Sequence, residues 1–360
     1  MPLYKGRGKT VNQKFRWLFI AIAALGLFVT YQGQLPVKAS SPVTADRRLV
    51  ADNLFDVDFA DTENGLATGY YGTILKTTDG GNHWVRINTG SRELIRRLDM
   101  VSVNEAWAVG HRGSIFHTAD GGLTWQVQMQ EKGVFLRDIS FASARAGWAV
   151  GQNMTILHTS DGGTTWQKQK LSGYKGRDLP RLGGVTALSE TTAVLVGEFG
   201  VVGLTTDGGK NWQLLPSGVR TTLTAVSHRG SDVVAVGLDG VALDISLEGT
   251  PKITRISTGV KQHLFGISFN KLGQAIIVGR TVLLKLDGDT ISPVPADGSV
   301  VLPYRWYYGV KILPDGKVIA VGVRGAIIKA MSMAGPFRLV AGIGNPETVS
   351  YAGDLRKEVK

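Results

Sequence analysis

Arginine is the residue type whose spacing points to chemistry here. Arg96 and Arg137 lie 41 residues apart in matching contexts, and Arg92, Arg97, Arg112, Arg181, Arg220, Arg280, Arg305 and Arg324 recur at similar places along the chain. Lys175, Arg177 and Lys261 add to the set, while acids such as Glu93, Asp138, Glu198 and Asp239 are sparser there. Planar guanidinium groups grip carboxylates through paired hydrogen bonds, so such a set suits an anionic ligand or a charged protein segment. Tyr70-Tyr71 and the run Tyr304-Arg305-Trp306-Tyr307-Tyr308 supply aromatic rings beside it, and rigid rings with arginine dominate protein interfaces. Nothing points to a metal or a cofactor. The chain has no cysteine, and its six histidines are scattered, which removes thiolate sites, Cys nucleophiles and disulfides. No phosphate loop, Ser-His-Asp signature or glycosidase carboxylate pair stands out.

The elements that carry these arginines repeat. Four segments share one pattern: Thr77 to Trp84, Thr118 to Trp125, Thr159 to Trp166 and Thr205 to Trp212 each read Thr-x-Asp-Gly-Gly-x-x-Trp. The aspartates Asp79, Asp120, Asp161 and Asp207 and the tryptophans Trp84, Trp125, Trp166 and Trp212 mark Asp-box turns. Ten residues before each aspartate a strand ends in glycine, and the marker recurs without a full box, giving Gly69, Gly110, Gly151, Gly197, Gly237, Gly279 and Gly322. Seven units of 40–46 residues, each with four short strands, predict an all-β, seven-bladed propeller. In the third unit the strands fall at 136–142, 146–151, 155–159 and 166–170. The box aspartate accepts backbone N–H groups in the turn between third and fourth strands, the glycines adopt conformations a Cβ opposes, and the tryptophan packs at the blade edge. These eight residues are therefore expected to be structural. Loops from fourth to first strand and from second to third open on one face. Those loops are expected to hold the arginines, so Arg96, Arg97, Arg112, Arg137, Arg181, Arg220, Arg305 and Arg324 form the expected partner-binding set.

The chain divides into three parts: residues 1–39, a propeller over 40–341 and a tail from 342 to 360. Six of the eleven net positive charges lie in the first part, on Lys5, Arg7, Lys9, Lys14, Arg16 and Lys38. Five of those cations precede the apolar run from Trp17 to Tyr31, the order of a signal peptide or of a retained anchor. Either places the body in the periplasm or an equivalent lumen. The remaining charge of +5 is too small for its size to argue for nucleic acid. Either Ser41–Val50 or Phe337–Ala341 could supply the strand that closes the ring.

The period, the boxes and the paired strands Ala106-Trp107-Ala108-Val109-Gly110 and Gly147-Trp148-Ala149-Val150-Gly151 resemble the photosystem II stability and assembly factor family of BNR-type propellers. The resemblance covers about 50–341. It implies a non-catalytic, monomeric scaffold in the periplasm or thylakoid lumen that binds an integral membrane protein, such as a photosystem subunit, through an arginine patch including Arg96 and Arg137. The chain departs from cyanobacterial members in lacking a lipid-bearing cysteine, and relatives beside membrane exporters make a transporter the other partner class. Asp boxes also occur in sialidases. That reading lacks an Arg-Ile-Pro motif here, and seven units exceed the sialidase six.

Overall fold

A computed structural model describes residues 52–341 and the short segment 349–351. The signal-or-anchor segment and the candidate closing segment Ser41–Val50 lie outside the described residues. Among the described residues, twenty-nine strands, numbered β1–β29 along the chain, form seven sheets, each built on a four-stranded antiparallel meander. Blade 1 holds β1 (Leu54–Phe59), β2 (Gly65–Gly69), β3 (Thr73–Thr77) and β4 (Trp84–Asn88) in meander order. Each later blade repeats that order with its own four consecutive strands. The seven-bladed propeller expected from the glycine markers is what the chain forms.

Among the described residues, every blade draws its four meander strands from one consecutive stretch of chain. The segment expected at Phe337–Ala341 is the outer strand of its own blade, β28 (Arg338–Ala341). Instead β29 (Val349–Tyr351) adds to blade 1 as a fifth strand, parallel to β4, with Val349 opposite Trp84. Of the expected tail, the described residues 349–351 lie against the outer strand of blade 1.

The second strand of every blade is buried throughout its glycine-terminated run, from Gly65–Gly69 in blade 1 to Val318–Gly322 in blade 7. Apolar residues on both of its faces serve two neighbouring blades, so the core is a series of sheet-on-sheet interfaces. The box tryptophan packs against the blade before it. Trp84, fully buried, lies with Leu313, Ile319 and Val321 of blade 7, and Trp125 lies with Leu66, Ile74 and Ile87 of blade 1. Trp212 is likewise buried, but Trp166 is only half-buried. It packs beside Met129 on the outer strand Gln126–Gln130, whose polar, exposed face offers it little apolar cover.

The boxes work as their residue types demand. In the first, Thr77 Oγ1 donates to Asp79 Oδ1 and accepts the Gly81 N–H. Asp79 Oδ1 also accepts the His83 N–H at 3.0 Å. Thr124, Thr165 and Asn211 bond equivalently, through backbone and side chain, in the other three boxes. In all four boxes these hydrogen bonds outweigh the upward push of burial, or exceed it outright at Asp207, and hold the aspartate below the usual carboxylate range.

Candidate binding face

The inner strands position the candidate site. They are β1, β5 (Ile95–Met100), β9 (Leu136–Phe141), β13 (Leu182–Ala187), β17 (Leu223–Arg229), β21 (Leu264–Phe269) and β25 (Tyr307–Ile312). In all seven the register against the second strand shifts between the first and third residues. The second residue is thus a β-bulge, and a bulge re-aims its side chain. The seven bulge residues are Phe55, Arg96, Arg137, Gly183, Thr224, Phe265 and Tyr308. They ring the axis at the end where the second-to-third and fourth-to-first loops open. Blades 6, 7 and 1 contribute aromatic rings, blades 2 and 3 arginine, and blades 4 and 5 small residues.

These side chains touch. The Arg96 guanidinium lies over the Phe55 ring, 5.1 Å from its centroid. Phe55 meets Tyr308 at 5.1 Å, and Tyr308 meets Phe265 at 5.3 Å. Tyr70 stands edge-on to Phe55 at 5.0 Å, and Trp306 flanks Phe265 at 5.9 Å with Arg280 over its own ring. Burial, with Arg137 and Arg97 nearby, pulls Arg96 down to about 9. Its Nε is buried with no hydrogen-bond partner. Arg137 is lowered by burial and by Arg181. His111 is lowered by burial and by the two arginines, so it stays neutral near pH 7. The mouth of the channel is therefore a cationic site partly stripped of water, without a carboxylate on Arg96.

The eight expected arginines divide. Arg96 and Arg137 occupy inner-strand bulges rather than loops. Arg181 sits beside Arg137 but is held by Glu198, whose Oε1 accepts its Nε–H at 2.6 Å. Arg112, Arg220 and Arg324 are exposed on outlying loops, and Arg305 is half-buried with one unpartnered Nη. Arg97 does not belong to the face. Its side chain turns into the axis, donating to Phe55 O, Asp56 Oδ1 and Phe265 O at 3.0–3.1 Å. Arg97 keeps its regular pairing with Val109 while the bulge re-aims Arg96, so neighbouring arginines serve different ends.

Below the mouth lies an axial cavity of about 320 Å³, lined by Asp56, Asp58, Arg97, Asp99, Asp138 and Lys311. None of these acids figured in the expected site. Their signal was present in the sequence, because Asp56, Arg97 and Asp138 are 41 residues apart, as are Asp58 and Asp99. They are positioned as clasps. Asp56 accepts the Leu98 N–H, Asp58 the Met100 N–H, Asp99 the Phe141 N–H and Asp138 the Val185 N–H, each from the following blade. Burial, helped by neighbouring acids, lifts Asp99 and Asp138 to about 7. Lys311 closes the ring against Asp58 at 2.5 Å, and that partner keeps it charged despite burial.

Known structures share this architecture at low identity. One described as YCF48 bound to D1 peptide is 21% identical with a TM-score of 0.55, covering 69% of this chain and 81% of that one. YCF48 from Cyanidioschyzon merolae is 15% identical with a TM-score of 0.61, covering 82% and 98%. A GH74 enzyme from Niastella koreensis is 11% identical with a TM-score of 0.63, covering 81% of this chain and 54% of that one. At such identities these likenesses establish the fold alone. No curated protein sequence matches the chain. The family model for the photosynthesis system II assembly factor YCF48 matches residues 36–134 and 126–221, a span that contains all four Asp boxes and both bulge arginines. On that match the chain belongs to the YCF48 family of photosystem II assembly factors.

Proposed function

We propose that this propeller is a non-enzymatic scaffold outside the cytoplasm that binds an exposed segment of an integral membrane protein and assists assembly of its complex. The observation that carries the reading is the bulge ring. Arg96 and Arg137 are shielded from water at the channel mouth, and Arg96 has no carboxylate partner. An anionic group arriving there would meet two guanidinium donors in a low-dielectric setting, with Phe55, Tyr308 and Phe265 receiving adjacent apolar side chains. Family membership and the D1 peptide held by a related propeller support a reaction-centre subunit as the partner class. The N-terminal segment would export the protein to the periplasm or thylakoid lumen, or anchor it there. The acids near the arginines support a binding role. Glu198 is paired with Arg181, and Glu93 accepts the Arg112 N–H at 2.9 Å. Asp138 accepts the Val185 N–H and clasps the following blade.

The test is capture from solubilised membranes by the wild type and by the Arg96→Gln plus Arg137→Gln variant. One specific membrane protein should be retained by the wild type, released by salt, and lost with the variant while its circular dichroism is unchanged. Equal capture by both proteins would refute the assignment.

A further inference from the structure

The hairpins joining second and third strands share a frame that reads Gly-x-x-Gly in five blades, as in Gly69–Gly72, Gly197–Gly200 and Gly322–Gly325. The residue before the last position of the frame forms the tip. In blades 1, 4 and 7 the tips are Tyr71, Phe199 and Arg324, at φ of 53°, 58° and 57°. Bulky side chains are rare at positive φ and strain the backbone, whereas Asn and Asp tolerate it. Blades 3 and 5 follow the tolerant choice with Asn153 and Asp239, and blade 6 holds the smaller Thr281 at 61°. Tyr71 and Phe199 are nevertheless 64% and 53% exposed. Two blades across the axis from each other thus hold an aromatic ring out into water on a conformation that opposes it. Strain of this kind marks a functional surface.

The same face carries other exposed apolar side chains, Leu179 at 56% and Tyr304 at 82%, in fourth-to-first loops. Arg112, Arg220 and Arg324 project between them. This pattern runs around the rim rather than along one groove, so a flat partner fits it better than a single peptide. Tyrosine and related rings settle at the headgroup level of a bilayer, and arginine is attracted to anionic lipid. We infer that the rim of the loop face seats the propeller on an anionic phospholipid bilayer, with Tyr71 and Phe199 entering the headgroup layer and the rim arginines facing lipid phosphate. The recessed bulge ring lies inside this rim, and the inference does not depend on what that ring binds.

The absence of cysteine lets one introduced thiol carry a label at a single place. The full chain bearing Tyr71→Cys, Phe199→Cys or, on the opposite face, Leu123→Cys is labelled with an environment-sensitive fluorophore. It is mixed with vesicles of phosphatidylcholine, alone or with an equal part of phosphatidylglycerol, containing a nitroxide-lipid quencher. The N-terminal apolar run can tether the chain to any vesicle, so the readout is the position of the label rather than binding. Labels at 71 and 199 should be quenched several-fold more than the label at 123 in the anionic vesicles. The excess should vanish when Arg112→Glu and Arg324→Glu are added. Equal quenching at all three positions, the same excess with phosphatidylcholine alone, or persistence after charge reversal would overturn the inference. The first outcome would leave the tips for a protein partner. A Phe199→Asn variant should melt no lower than the parent, since Asn suits the tip. A clear fall in melting temperature would show that the ring serves packing instead.

Discussion

Arg96 and Arg97 show why neighbouring residues of one type cannot be read alike. Arg96 lies over Phe55 at the channel mouth, whereas Arg97 ties the inner strands of blades 1, 2 and 6 together from the axis. The sequence period located both but could not separate them, because the separation arises from a bulge, which is a property of pairing. The box tryptophans were more legible, since a box carries its own hydrogen-bond logic locally. Their energetics still depend on the neighbouring blade. Trp84→Ala and Trp125→Ala should each cost about 3–5 kcal/mol, as for other buried aromatic truncations. Trp166→Ala should cost distinctly less because that ring is half-buried. Denaturant melts of the three variants check the order, and an equal loss at Trp166 would contradict it.

The axial aspartates give a second prediction at this scale. Asp99 titrates at about 7 in the fold, raised from 3.8 mainly by burial. A raised folded-state value means the folded chain holds a proton that the unfolded chain has released. The associated stability is present below pH 4 and is lost as pH rises through 7. Histidines lowered by burial, His117, His158 and His228, work the other way through the mid-acid range, so a single pH curve mixes both effects. The difference between Asp99→Asn and wild type isolates the carboxyl. The stability of the variant relative to wild type should improve as pH rises from 4 to 7, then level off. Thermal melts at stepped pH measure it, and a constant difference would show that Asp99 titrates normally.

At the scale of elements, the boxes do more than close their own turns. The carbonyl of the first box glycine accepts a hydrogen bond from the preceding blade in all four cases. Lys329 Nζ reaches Gly80 O at 2.8 Å and Lys76 Nζ reaches Gly121 O at 2.6 Å. Gln128 and Gln169 amides reach Gly162 O and Gly208 O at 2.9 and 2.8 Å. A Cβ on Gly209 would stand 1.9 Å from Gln169 Oε1, so the second glycine leaves room for the latch as well as taking its left-handed turn. These latches were not legible, because lysine on a third strand and glutamine on a short outer strand look like ordinary surface residues. Gln169 is the most committed of them. Its Oε1 accepts the indole N–H groups of both Trp148 and Trp212. Gln169→Leu leaves two indole donors and a carbonyl without partners. Unmet groups of this kind cost about 1–3 kcal/mol each when buried. Gln128→Leu strands only the Trp107 indole and one carbonyl. Paired chemical-denaturation curves should rank Gln169→Leu as the worse of the two, and the reverse order would sink the account.

For the whole molecule, the open question at the sequence level was how the ring closes, and among the described residues blades 7 and 1 meet through side chains, each with four consecutive strands of its own. Blade 7 reaches blade 1 along its full depth. At the loop face the Arg324 N–H donates to Asn53 Oδ1. Phe55 meets Tyr308 in a tilted ring contact at the mouth, Lys311 meets Asp58 on the axis, and Ile319 and Val321 pack with Trp84 in the interface. At the box face Lys329 bonds to Gly80 O and to Asn82 Oδ1. The parallel strand at 349–351 adds only an outer edge to a blade already complete. Two truncations should therefore behave differently. A chain ending at residue 341 should keep a single cooperative thermal transition, shifted down by a few degrees, because no interface between blades is removed. A chain ending at 303 loses blade 7, exposes the apolar faces of blades 1 and 6, and leaves Asp58 without its lysine. Since each blade buries its core only against its neighbours, that chain should lose cooperative melting and aggregate. Calorimetry with size-exclusion chromatography distinguishes the cases. Loss of the cooperative transition in the 341 truncation would show that the C-terminal strand, and not the blade 7 to blade 1 interface, holds the ring shut.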